Sequence, residues 1–137
     1  MTLLSKELSR PNGIVLSPDQ RTLYVANSDR ARPVIVAFDL REDGTVGPSR
    51  AFFDGAPLNA RGRRGAHDGM KVDQEGNVWA TGPGGILILN PAGRHLGTVQ
   101  TNSAMANCAF GDDGSTLYLA AGSMLCRVQT KVKGTGF

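Results

Sequence analysis

One unit recurs three times in this chain, and the repeat limits what it can fold into more than any other feature. From Asn12 it reads Asn-Gly, the apolar run Ile14-Val15-Leu16, the turn Ser17-Pro18-Asp19-Gln20-Arg21, then Leu23-Tyr24-Val25-Ala26. From Asp68 it reads Asp-Gly, Met70-Lys71-Val72, the turn Asp73-Gln74-Glu75-Gly76-Asn77, then Val78-Trp79-Ala80-Thr81. From Asn107 it reads Asn-Cys, Ala109-Phe110, the turn Gly111-Asp112-Asp113-Gly114-Ser115, then Leu117-Tyr118-Leu119-Ala120. Short runs rich in β-branched and aromatic residues, bounded by turn formers, are strands. Each unit is opened by a carboxylate or carboxamide side chain.

The first unit continues through Val34–Leu40, with Pro33 at its edge where a strand tolerates it, to a turn at Arg41-Glu42-Asp43-Gly44-Thr45 and a fourth strand at Ser49–Phe53. Four successive antiparallel strands in about 40–45 residues match one propeller blade. The second unit adds Gly85–Leu89 and His95–Val99, and the third adds Met124–Val128 before the chain runs out at Lys131–Phe137. Thr2-Leu3-Leu4 reads as a short orphan strand. Residues 54–66 carry no periodicity and read as a loop that lengthens the interval between the first two units. No 11-residue window shows a helical period. The expected fold class is therefore all-β, about three β-propeller blades in a single piece, 1–137, with units starting near 12, 68 and 107. Propellers close with about four to eight blades, so three leave exposed sheet edges and the set reads as incomplete.

Composition narrows the function. Charged residues are 20% and aromatics 6%, and the net charge of +3 is spread along the chain. The densest basic cluster is Arg61-Gly62-Arg63-Arg64, without the stacking aromatics of a nucleic-acid surface. No nucleic-acid or membrane partner is expected, because no segment approaches the ~20 apolar residues of a membrane span. The N-terminal Met1–Lys6 is too short and too soon charged for a signal peptide, which points to the cytoplasm. Cys108 and Cys126 lie in apolar runs and read as reduced, buried small hydrophobes. Gly-rich phosphate loops, Cys/His metal spacings and a Gly-x-Ser-x-Gly elbow are all missing.

In a propeller the innermost strand of each blade starts at one mouth of the central channel. A residue just before that strand points towards the axis, so the oxygens of Asn12, Asp68 and Asn107 are expected to converge. Taken singly, Asn-Gly and Asp-Gly are turn dipeptides. Three openings at one repeat phase favour convergence. Carboxylate and carboxamide oxygens suit Ca²⁺, Mg²⁺ or Mn²⁺ better than a structural zinc site. Gly13 and Gly69 let the backbone pass close to a bound group.

These motifs resemble the C-terminal half of the SMP-30/gluconolactonase/luciferin-regenerating-enzyme-like family of six-bladed propellers. The residues that carry the resemblance are Arg10-Pro11-Asn12-Gly13, His67-Asp68-Gly69-Met70-Lys71-Val72-Asp73, and Asn107-Cys108-Ala109-Phe110-Gly111, with the turns and strands that follow each. The resemblance implies metal-dependent hydrolysis of a sugar lactone or related ester. By that resemblance Asn12 is a metal ligand, and Asp68 is both a ligand and the general base. The implied metal is Ca²⁺ first, with Mg²⁺, Mn²⁺ or Zn²⁺ as other ions. The family's remaining ligands come from an N-terminal half that is not in this sequence. Three arrangements follow from that: a fragment without activity, a chain paired with a separate N-terminal half, or a homodimer of two three-blade copies closing a six-bladed ring. The competing function is a binding or assembly module without catalysis.

Further substrate-facing candidates are His67, Asn27 and Asn107. His67 is read either as a channel-facing proton shuttle or substrate contact, or as a surface loop histidine. Asn27 and Asp29 end the second strand at the same mouth, where capping a turn is the competing role. His95 is structural, and Trp79 and Tyr24 are core. Arg61, Arg63 and Arg64 read as a solvated insertion rather than a lid over an acidic sugar.

Overall fold

A computed structural model describes all residues 1–137 of the chain. Eleven strands form three antiparallel meanders. The first sheet holds β1 (Pro11–Leu16), β2 (Thr22–Asn27), β3 (Val34–Leu40) and β4 (Val46–Asp54) in that order. A short helix, α1 (Ala56–Ala60), leads to the second sheet of β5 (Met70–Val72), β6 (Val78–Gly82), β7 (Gly85–Leu89) and β8 (His95–Val99). The third has β9 (Met105–Gly111), β10 (Thr116–Ala121) and β11 (Met124–Gln129), with no fourth strand. This is the all-β, three-blade architecture expected from the repeat. No helix is long and apolar enough to cross a membrane.

The sheets pack face to face, and strand alternation decides which side chains meet. Tyr24, Ala26, Ile35 and Ala37 of the first sheet close on Met70, Val72, Val78, Ala80, Leu87 and Leu89 of the second. Trp79 and Ile86, pointing the other way, meet Met105, Cys108, Leu117, Leu119 and Ala121 of the third. The second sheet is thus buried on both faces, which is why β6 reads Val-Trp-Ala-Thr with almost no polar residue. Trp79 and Tyr24 are core, at 6% and 5% exposure. The first strands lie side by side: β1 meets β5, and β5 meets β9.

Two sequence expectations need correction. Residues 54–66 contain α1, started by Pro57 in its first turn and by Asp54 Oδ1, which accepts the Ala56 N–H at 2.9 Å. Leu58 then drops into the core between the first two sheets. Thr2-Leu3-Leu4 forms no strand: residues 1–10 pair with no sheet, and Leu3 and Leu4 stay exposed.

The cysteines are both free. Leu119 pairs with Cys108 on one side and Cys126 on the other, so the two are two strand spacings apart, roughly 10 Å, beyond disulfide reach. Burial pushes the Cys108 thiol up to about 11, against a weaker downward pull from Lys71. At the end of the sheets away from the Asn12 mouth, the Asp73 carboxylate is fully buried and accepts four donors. These are the backbone N–H groups of Glu75 (3.0 Å) and Asn77 (2.9 Å), Asn77 Nδ2 (2.9 Å) and Trp79 Nε1 (2.9 Å). The C-terminal segment ties the second and third sheets there, with Gln74 N donating to Lys133 O, Thr135 N to Val72 O, and Gly134 N to Gly114 O.

Candidate metal and base site

Asn12, Asp68 and Asn107 lie on or beside neighbouring inner strands, and the glycines between them are pressed against the next residue along. A β-carbon on Gly13 would sit 1.8 Å from the Asp68 carbonyl oxygen, and one on Gly69 would sit 2.0 Å from Asn107 Oδ1. Only a residue without a side chain allows such approach, so these glycines set the spacing of the three openings. The Asp68-Gly69 peptide is clamped from both sides. Asp68 N donates to Thr81 Oγ1 at 2.7 Å, Thr81 N donates to Gly69 O at 3.0 Å, and Gly69 N donates to Ala106 O at 3.0 Å.

The side chains differ in what they leave free. Asn12 Nδ2 donates to Ser28 Oγ at 3.1 Å, so its Oδ1 has no partner within the chain. The half-buried Asp68 carboxylate accepts no hydrogen bond and joins no ion pair. Asn107 Oδ1 already accepts from the Cys108 backbone N–H at 2.9 Å, which leaves its amide hydrogens as the groups to offer a ligand. Two hard oxygens, one anionic, therefore face away from protein partners on adjoining strands. Their chemistry is that of a hard divalent cation such as calcium, although no three His, Cys, Asp or Glu side chains cluster anywhere in the chain to hold a metal ion by themselves. Such an ion takes roughly six to eight oxygens, so Asn12 and Asp68 would supply only part of the shell.

His67 and Asn27 behave differently from Asn12 and Asp68. His67 is 0% exposed, with Nδ1 3.0 Å from Thr81 O and Nε2 3.2 Å from Pro33 O. It is neither a surface histidine nor open to the channel in this chain. It bridges the first two sheets, with its ring edge-on to Phe53 at 6.0 Å. Burial pushes its imidazole below the usual histidine range, against upward pulls from the two carbonyls and Asp54. Neutral imidazole has one N–H and donates to one carbonyl only. Asn27 is also 0% exposed: its Oδ1 accepts Arg10 N at 2.8 Å, and its Nδ2 donates to Arg32 O at 2.9 Å. It pins the approach to β1 and the loop after β2. Asp29 accepts Ser9 Oγ at 2.6 Å and Ala31 N at 2.9 Å, and its carboxyl is held below the usual range by those bonds, Ser9 first.

Sequence reasoning gave no role to Ser28 or Thr81. Ser28 Oγ receives Asn12 Nδ2 and donates to His67 O, which joins β1 to the segment ahead of Asp68. Thr81 holds both His67 and Asp68. The available signal was position, since each closes the second strand of its unit, where the chain returns to the mouth.

The comparisons agree with this architecture. The model described as "SMP-30/Gluconolactonase/LRE-like region" matches residues 1–123. A gluconolactonase of Zymomonas mobilis subsp. mobilis is 41% identical over 144 aligned residues, covering 98% of this chain and 38% of that protein. A solved gluconolactonase from Xanthomonas campestris superposes with a TM-score of 0.77 at 28% identity, over 94% of this chain and 39% of that one. Regucalcin of Agrobacterium tumefaciens str. C58, titled a calcium-binding protein, shares the fold at TM-score 0.75 and 23% identity, over 99% of this chain and 50% of its own. The chain thus spans about two fifths of the gluconolactonases it matches. Matched over most of its length and folded in three successive blades, the chain belongs to the SMP-30/gluconolactonase/LRE-like family.

Proposed function

We propose that this chain carries the cation-and-base side of a lactone-hydrolysing propeller site. The observation that carries the reading is the pair of partner-free oxygens, Asn12 Oδ1 and the Asp68 carboxylate, whose spacing is set by Gly13. The gluconolactonase names of the relatives point the same way. A bound hard divalent cation, calcium by preference, would supply Lewis acidity to the lactone carbonyl.

The chain's own residues do the rest. Asp68 accepts a proton from the attacking water as its oxygen bonds to the carbonyl carbon. The tetrahedral species then collapses, the bond from carbonyl carbon to ring oxygen breaks, and the protonated Asp68 returns the proton to the leaving oxygen. Lactone plus water becomes a hydroxy acid, and the base is regenerated. Asn12 orients its oxygen through the Ser28 bond, while Thr81 and Gly69 keep the Asp68 backbone from drifting. The test is turnover of a glucono-lactone in the presence of millimolar calcium. Asp68→Asn should lower it by about 10²–10⁴-fold, the contribution of a positioned base. Equal turnover by the variant would remove Asp68 from the mechanism.

A second reading, an assembly module without turnover of its own, is favoured by the ends of the stack. Leu125 of β11 is 81% exposed and Ile14 of β1 is 62% exposed, and β11 has no outer neighbour. Both faces suit another three-blade surface, supplied by a second copy of the chain. Light scattering tests the pairing, with a mass of about twice 14.5 kDa supporting it and a monomer at all concentrations contradicting it, and a dimer without Asp68-dependent lactone turnover assigns the assembly reading.

A further inference from the structure

The loop after α1 is exposed at Arg61–Arg64, as a solvated insertion should be, but its backbone is tied down. Gly84 N donates to Arg64 O at 2.9 Å, Arg63 N donates to Leu58 O at 3.3 Å, and Gly62 N donates to Asn59 O at 2.9 Å. A β-carbon on Gly65 would lie 2.4 Å from Gly82 O, and one on Gly84 would lie 3.0 Å from Arg63 Cδ, so the loop is pressed onto the β6–β7 hairpin. Opposite, the loop after β2 is fixed by Asp29 O accepting Arg32 N at 3.1 Å and by Asn27 Nδ2 on Arg32 O. Between these walls lies a hollow of about 440 Å³ lined by Arg30, Asn59, Arg63, Arg64 and Gly65.

Three arginines line this hollow, and none of them forms an ion pair. The chain's two ion pairs, Arg50–Asp39 and Lys133–Asp113, lie elsewhere. Asp29 lines the adjoining cleft beside Arg30 and offsets part of that charge, although its oxygens are engaged by Ser9 and Ala31 rather than by an arginine. Like charges gathered on a rigid frame repel one another, and a bound anion relieves that repulsion. Guanidinium groups also present paired N–H donors that match the oxygens of a carboxylate or phosphate. A narrow cleft of about 10 Å³ shares Arg30, Asn59 and Gly65 with the hollow and is lined also by Ser28, Asp29 and His67. Ser28 holds Asn12, and His67 precedes Asp68, so the hollow adjoins the candidate metal and base site.

We infer that Arg30, Arg63 and Arg64 form an oxyanion subsite that selects lactones bearing a carboxylate or phosphate group. The inference deepens the lactone reading and rests on it for the identity of the substrate, while the anion site itself is measurable alone. The direct test titrates inorganic phosphate, and acetate in parallel, into the 137-residue chain at low ionic strength, followed by amide and arginine side-chain NMR shifts. Phosphate should bind, the shifts should centre on Arg30 and Arg64, and Arg30→Gln/Arg64→Gln should weaken binding at least about tenfold. The remote Lys131→Gln variant should bind as the parent does, and circular dichroism confirms that each variant is folded. Preference for phosphate over acetate assigns a phosphate-bearing substrate, preference for acetate assigns a carboxylate, and equal binding supports a subsite that takes either anion. Absence of phosphate and acetate binding, or undiminished binding by the folded double variant, overturns the subsite. Anion binding without turnover of any lactone would keep the subsite and remove the lactonase reading. Turnover of a neutral lactone without anion binding would do the reverse.

Discussion

Replacing Gly13 by alanine tests whether close packing of neighbouring inner strands sets the site. The added β-carbon would begin 1.8 Å from the Asp68 carbonyl oxygen, with Met70 Cγ at 3.2 Å behind it. An ordinary carbon-to-oxygen contact needs at least about 3 Å, so β1 and the Asp68 segment must part by more than 1 Å. Overpacking of this kind costs about 1–3 kcal/mol. For a chain of this length that corresponds to a fall in Tm of roughly 4–12 °C. The chain should still fold, because the clash is confined to one strand neighbourhood: of the core between the first two sheets it reaches the flexible Met70 side chain, and the core between the second and third is untouched. The site should suffer more than the fold. A displacement near 1 Å between reacting groups costs about 10² in rate, and Asn12 Oδ1 and the Asp68 carboxylate would no longer meet the same cation. The assay pairs a thermal melt with calcium titration and lactone turnover. Gly13→Ala with the parent's Tm and calcium affinity would refute the reasoning, since it would show that the strands part at no cost.

Other outcomes follow from the same contacts. Thr81→Val keeps the shape of the side chain but leaves the Asp68 N–H without its acceptor, and urea unfolding should show a loss of about 1–3 kcal/mol. Asp73→Ala strands four donors, including the buried Trp79 indole N–H, and should lower the urea midpoint more than Thr81→Val does. His67 sits folded with its pKa below the ordinary 6.5, so the unfolded chain binds the extra proton first on acidification. Its contribution is complete above about pH 6.5 and is lost as pH falls towards the folded value. Melts at pH 7.5 and 5 should show this slope in the parent and a shallower one in His67→Gln. The carboxylates of Asp19, Asp29, Asp43 and Asp113, held low mainly by Ser and Thr hydroxyls, act only in the more acidic window below 3.8.

Much of the fold was legible because its signals are local. Each unit carries its own turn residues, and position at the centre of an apolar strand placed Tyr24 and Trp79 in the interior. The repeat phase of Asn12, Asp68 and Asn107 also suggested which segments would lie side by side. What escaped was long-range. Nothing near His67 in sequence shows that Thr81 and Pro33 enclose it, and nothing near Asn12 shows that Ser28 takes its amide hydrogens and frees its oxygen. Asn27 ends a strand at the mouth, where a pocket residue and a turn cap look alike in sequence, and the backbone of Arg10 and Arg32, from either side of it, closes over it as the capping role requires. The 54–66 segment looked unstructured because a five-residue helix is shorter than any periodicity can register. Its packing depends on Gly65 and on Gly84 of the distant β6–β7 hairpin.

The central claim is that Asn12 and Asp68 hold one cation together at the mouth of the inner strands. The measurement that tests it most directly is a calcium titration of the isotope-labelled chain, read residue by residue by NMR. The account predicts shifts at the Asn12 side-chain amide and at the Asp68 and Gly69 backbone, all with one midpoint, and their disappearance in Asp68→Asn. Shifts confined to exposed carboxylates such as Asp43 and Asp113, or an unchanged titration in the variant, would contradict it.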